Sequence, residues 1–274
     1  MRIRISHHTT FAYAPPARSV IQNLRLTPRS FESQYVLRWR VSVDVDGSLR
    51  QSEDSLGNIM HAFSYQRPLD RFTVAAVGEV ATTDAVGVVR GAVEPLPESM
   101  FLRASPLAQA NGALREFALD TVEASSDPLE RLHLLMGAIH EAIVYDAEER
   151  ADLRAGAAEA FALRRAGAAG FAHIFIACAR HLGVPARFAS GYLAPREGPA
   201  PQGLFAWAEA AAPVLGWVAF DAVHDQCADE RYVRVAVGFD SLGAAPFRVA
   251  QFGGGGETID ESVRIEQAAG QSQN

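Results

Sequence analysis

The chain has 274 residues, 49% hydrophobic and 21% charged, with a formal net charge of -7. That composition suits a globular protein with a sizeable core and is too apolar for a disordered chain. The acidic balance argues against a broad nucleic-acid surface, which needs concentrated Lys and Arg, and no run of about 20 apolar residues suggests a membrane span.

Met1 to Tyr13 carries charges and alternating residues rather than the apolar core of a signal peptide, so the expected location is cytoplasmic. From Tyr35 to Val45 the odd positions Tyr35, Leu37, Trp39, Val41, Val43 and Val45 are apolar, and Arg38, Arg40, Ser42 and Asp44 fall between them. This period of two predicts a half-buried strand. Asp46-Gly47 predicts a hairpin turn and Leu56-Gly57-Asn58 a second turn, with further strands near Ile59 to Tyr65 and Phe72 to Val80. An antiparallel β-sandwich-like domain over residues 1–85 follows. The Gly, Val and Pro-rich stretch 86–105 reads as a linker.

Beyond it the period turns helical. Asp127-Pro128 with Glu130 is a start signal, followed by Leu129, Leu132, Met136, Ile139 and Ile143 at spacings of three and four. A second helix begins near Gly167 to Gly170, places Phe171, Phe175, Cys178 and Leu182 on one face, and ends at Gly183-Val184-Pro185. Strands are expected at Ala186 to Leu193, Leu204 to Ala212 and Gly216 to Asp221. The Gly253 to Gly256 run reads as a flexible loop, Val263 and Ile265 as a last strand, and 267–274 as a tail. The fold class is α+β, with a core domain over 106–266.

A helix N-terminus meeting a sheet is a setting in which thiol nucleophiles are activated, because the helix dipole and free amides favour the thiolate. A base then comes from a neighbouring strand, oriented by a third group. Ala168-Ala169-Gly170-Phe171-Ala172-His173 and Ala186-Arg187-Phe188-Ala189-Ser190-Gly191-Tyr192-Leu193 resemble the core motif of bacterial transglutaminase-like proteins. Phe205-Ala206-Trp207-Ala208-Glu209 resembles the stretch that opens with the family's catalytic His, and Gly216-Trp217-Val218-Ala219-Phe220-Asp221 the stretch that ends with its Asp. Residues 1–82 resemble the β-rich domain that accompanies this group. The resemblance implies a papain-like transglutaminase core with the nucleophile position at Ala168, the base position at Phe205 and the orienting position at Asp221.

Alanine offers no lone pair and phenylalanine accepts no proton, so the expected function is that of a catalytically inactive relative. Loss of triad members costs on the order of a millionfold in turnover. A lone Cys-to-Ala change can be a laboratory device. The second loss at Phe205, with Ala169 and Gly170 in place of the family's larger polar pair, reads instead as natural drift.

Asp221 without a His partner reads as a turn cap, and His224 as an exposed loop residue. Cys178 reads as core. Cys227, among Asp225, Asp229 and Glu230, reads as a poor nucleophile because negative neighbours disfavour the thiolate. Two cysteines without a Cys-x-x-Cys pair make no disulfide framework, though a single bridge is compatible with the sequence. His173 reads as a buried, satisfied residue. No cofactor and no metal site is expected. Ala169, Gly170, Tyr192, Trp207 and Trp217 are candidate cleft-lining residues. The expected partner is a protein or peptide, an active relative included, and neither nucleic acid nor membrane. Two alternatives stand beside this: an amide or peptide hydrolase or transglutaminase with a non-standard nucleophile such as Cys227, and a purely structural or oligomerisation module.

Overall fold

The computed structural model describes residues 1–147, 156–196 and 203–267. Five strands come first, β1 (Arg2–Thr27), β2 (Gln34–Val43), β3 (Ser48–Glu53), β4 (Ile59–Tyr65) and β5 (Leu69–Thr82). The two-residue β6 (Val88–Val89) and a 3-10 turn at Glu98–Leu102 lead into α1 (Gly112–Val122) and α2 (Pro128–Ala142). After β7 (Val144–Tyr145), α3 (Ala157–Leu163) and β8 (Arg165–Ala166) comes the central helix α4 (Ala168–His181). The chain closes with β9 (Ala186–Leu193), β10 (Phe205–Ala212), β11 (Gly216–Asp221), β12 (Gln226–Cys227), β13 (Tyr232–Gly238), β14 (Phe247–Gly253) and β15 (Thr258–Gln267). The expected α+β class, with an N-terminal β domain and a mixed core, is what the structure has. Asp127 caps α2 as its sequence implies, its Oδ1 accepting from the Glu130 amide at 2.8 Å.

β1 is the spine of the N-terminal sheet. Its first half pairs with β5 and β15, and its second half with β4 and β14. The last two strands, which the sequence placed inside the 106–266 segment, therefore belong to the N-terminal sheet. Alternation of Val263 and Ile265 with Arg264 and Glu266 reveals a strand but not its partner, and the partner lies some 260 residues back along the chain. Glycines 254–256 form the connection between β14 and β15 rather than a free-standing loop. Gln267 still belongs to β15, and the rest of the expected tail, 268–274, lies outside the described residues.

Within β2 the sequence parity breaks at Leu37. Val36 pairs with Val80 but Arg38 with Glu79, so Leu37 forms a bulge. A one-residue insertion turns the side chains before it to the opposite face. Val36, not Tyr35, accordingly packs inward, and Tyr35 and Leu37 are 63% and 43% exposed.

The stretch 86–105 runs closely over the core. Val88 and Val89 pair with Val218 and Trp217 of β11, and Phe101 is buried against Trp217. The core sheet has the order β12-β11-β10-β9-β13, and α4 packs on β10 and β9. Residues Ala169 to Arg180 of α4 are all buried, so the helix is enclosed on every side rather than along one face.

The N-terminal domain covers the free edge of β13. Gln34 donates to the Arg234 carbonyl at 2.9 Å and accepts from the Arg234 amide at 2.7 Å. Asn58 makes the same pair of bonds with Val237, both at 2.8 Å. Two side-chain amides thus satisfy edge groups that would otherwise be open to pairing. His7 adds a third tie, bonded to the Tyr192 hydroxyl at 2.9 Å and to Glu261 at 2.8 Å. Among the described residues no helix is long and apolar enough to cross a membrane.

Candidate functional site

Ala168 is the first residue of α4, with Gly167 at the N-cap and no side-chain cap. The first turn is sterically closed. A Cβ added at Gly170 would lie 2.6 Å from the Ala166 Cβ and 3.3 Å from that of Ala160. A side chain at 170 therefore could not be seated without moving α3 or β8.

Phe205 opens β10 and is 3% exposed. Its ring stands 5.5 Å from the His224 ring and 6.4 Å from that of Tyr232. Asp221 closes β11 and is buried. Its Oδ1 accepts from the Val223 and His224 amides at 2.8 and 3.3 Å, and its Oδ2 from His224 Nδ1 at 2.7 Å and the Tyr232 hydroxyl at 2.5 Å. The Tyr232 phenol is pushed up by burial first and then by the Asp221 charge and hydrogen bond. The Tyr145 phenol is also raised, by burial and then by Asp221.

Asp221 is thus both the turn cap the sequence suggests and, contrary to it, the partner of an imidazole. The Asp221-x-x-His224 spacing was the available signal; Tyr232, which opens β13 at the far edge of the sheet, had none. In its neutral form His224, giving Nδ1–H to Asp221, would carry the lone pair on Nε2, the tautomer a general base uses. The imidazole sits beside the Phe205 ring, on a half-exposed side chain. No nucleophilic side chain stands at Ala168 to give it a proton.

On the same strand, Glu209 is fully buried and bonded to Arg187 Nε at 2.7 Å and Arg234 Nε at 2.7 Å. Burial works to raise its carboxyl, but Arg234 and Arg187 outweigh it and hold it down at about 2. Arg187 also pairs with Glu94 and lies 3.9 Å over the Trp217 ring.

Of the candidate cleft-lining residues, Trp207 borders an open cavity at the domain junction together with Tyr232, Arg234, Gln34 and Thr82. Tyr192 and Trp217 do not line a cleft: Tyr192 is sealed by His7 and Trp39 from the N-terminal sheet, and Trp217 by Phe101 and Arg187. Ala169 and Gly170 are buried within the first turn of α4.

Both cysteines are free. Cys178 is buried in the core and its thiol is pushed up to about 12 by burial. Cys227 lies 3.5 Å from His133 Nε2. His133 Nδ1 faces the Leu129 carbonyl at 3.0 Å, so Nδ1 carries the proton and Nε2 is the acceptor for the thiol. The Cys227 thiol is raised to about 11, by burial rather than by the acidic neighbours the sequence pointed to. His173 is buried and its Nε2 accepts from the Ser241 amide at 3.1 Å, as a structural histidine would. Among the described residues no group of three or more His, Cys, Asp or Glu side chains is gathered to hold a metal.

Residues 3–81 match the bacterial transglutaminase-like N-terminal region, and residues 115–222 match the transglutaminase-like superfamily. An uncharacterized protein of Mycobacterium leprae is 27% identical over 284 residues, spanning 98% of this chain and 99% of its own length. One of Mycobacterium tuberculosis is 26% identical over 291 residues, spanning 96% and 92%. A solved structure from Cytophaga hutchinsonii, of a protein proposed to be a cysteine protease, shares the fold at a TM-score of 0.78 and 18% identity, covering 97% of this chain and 90% of that one. The chain belongs to the bacterial transglutaminase-like proteins, an N-terminal β region joined to a core of the transglutaminase-like superfamily.

Proposed function

We propose that this protein is a catalytically inactive transglutaminase-like protein that binds a protein or peptide segment. The observation that carries this reading is the pair of side chains at the two reactive positions. Ala168 heads α4 where a thiolate would stand, and the buried Phe205 ring fills the start of β10 where an imidazole would accept its proton. Without a nucleophile no acyl-enzyme forms, whatever the helix amides or His224 contribute. The apolar replacements favour retention of a segment over turnover.

A second reading is favoured by the Cys227–His133 contact: a thiol facing an imidazole acceptor is the core of a cysteine nucleophile. Against it, a thiol at about 11 is almost wholly protonated near neutral pH, and Cys227 sits on a short strand rather than at a helix N-terminus. The two readings separate in one assay of the purified protein against peptide, amide and glutamine-plus-amine substrates, before and after alkylation of its cysteines. The proposal expects no turnover in either state. Turnover that alkylation abolishes would establish the second reading and overturn the first.

A further inference from the structure

The solvent face of the N-terminal sheet carries charge opposite to that of the whole chain. Strand register places its side chains in rows across β2, β5, β1 and β15. Arg38, Glu79, Arg4 and Glu266 form one row, Arg40, Val77, Ser6 and Arg264 the next, and Ser42, Ala75, His8 and Ser262 a third. Residues directly opposite on neighbouring strands share a face, so Arg2, Arg4, Arg38, Arg40 and Arg264 stand together against Glu79 and Glu266. On a protein with net charge -7 this is an island of arginine excess.

Glu79 is already used: it pairs with Arg2 and, at 3.2 Å, with Arg38. Arg4 and Arg40 close no ion pair among the described residues, and Arg264 reaches Glu266 only at 4.0 Å. A groove of 470 Å³ crosses this face, lined by Arg4, Ser6, His8, Ser262, Arg264 and Glu266, with Val77 also at its wall. That volume lies within the usual range for ligand sites, roughly 300–1,000 Å³. Beside the arginines, on edge strand β2, Tyr35 and Leu37 are exposed, at 63% and 43%. Tyr35 pairs with Ala81, which pairs with Arg2, so the tyrosine belongs to the same face.

We propose that this face docks an extended acidic peptide segment of a protein partner. Guanidinium forks match carboxylates in geometry as well as charge, and exposed tyrosine beside arginine is the composition from which interface hot spots are built. The interleaved Glu79 and Glu266 and the acidic remainder of the chain disfavour a nucleic-acid backbone, which requires an unbroken basic track. This surface is independent of Ala168 and Phe205 and stands whether or not the protein turns over a substrate.

The test is a fluorescence titration of the full chain at low salt with a labelled oligoglutamate peptide. Its comparison arms are an Arg40→Glu, Arg264→Glu variant, an Arg40→Gln, Arg264→Gln variant, and an Arg50→Glu, Arg248→Glu control with the same charge change elsewhere. Saturable binding is expected in the unaltered chain and the control. It should weaken on the order of tenfold in the first variant and by less in the second, with thermal unfolding unchanged throughout. Absence of saturable binding, equal weakening in the control, or tighter binding of a single-stranded oligonucleotide of matched charge would each overturn the proposal.

Discussion

Phe205 and Glu209 lie on one strand, four residues apart, and stand in opposite chemical settings. Glu209 keeps its charge in full burial because Arg187 and Arg234 both donate to it. At the other end of β10 the resemblance implies an imidazole, and a phenyl ring stands there instead. Burying that ring leaves no polar group behind, and the one group that would have been orphaned, Asp221, is satisfied by His224, Tyr232 and two backbone amides. A buried charge with partners cannot be removed without stranding them, whereas a phenyl ring at 205 strands nothing, because Asp221 has its own donors. The scaffold's ion network and the site's chemistry are thus separable on a single strand.

The comparison breaks most sharply at Glu209. Glu209→Ala leaves Arg187 with Glu94, a surface residue, as its one remaining carboxylate among the described residues, and is expected to cost about 3–5 kcal/mol of stability in denaturant unfolding. Acid should find the same point. Because the folded Glu209 carboxyl is depressed from 4.5 to about 2, the stability it contributes is complete above the unfolded value near 4.5. It is lost as pH falls from there through about 2. Glu209→Gln should flatten that acid limb in unfolding curves taken across pH.

Asp221→Ala is the next largest. It removes the acceptor of the Tyr232 hydroxyl and of His224 Nδ1, and about 2 kcal/mol of destabilisation is expected by chemical denaturation. A loss below about 0.5 kcal/mol would show that the carboxylate is incidental. Gly170→Asp should cost about 1–3 kcal/mol by overpacking against Ala166. Ala168→Cys should be the mildest, within about 0.5 kcal/mol, since the position is only half-buried.

Much of this was legible in the sequence. β9 and β11 start and end where the apolar runs of Ala186 to Leu193 and Gly216 to Asp221 do, and β10 falls one residue inside its predicted run. Asp127-Pro128 marked the start of α2 because capping chemistry is local. What was not legible depends on contacts distant along the chain. α1 buries Leu114, Ala118 and Val122, but Leu119 and Phe117 place apolar groups on its other sides as well, so no single face stands out in the sequence. The pairing of β15 with β1 and the contact of Cys227 with His133 join residues far apart in sequence. The Leu37 bulge inverted a parity that the alternation of Tyr35 to Val45 implied for the whole strand. At the site, the residues at 168, 205 and 221 could be named, but the His224–Asp221 bond needed the turn after β11 to fold back.

The most direct test is intact-mass analysis of the natural chain after incubation near neutral pH with an electrophilic peptide amide probe, beside an Ala168→Cys variant. The account predicts no adduct on the natural chain and, if the variant reacts, a modification that maps to position 168 alone. A stoichiometric adduct on the natural chain, on Cys227 or any other residue, would show that it retains a working nucleophile and would contradict the account.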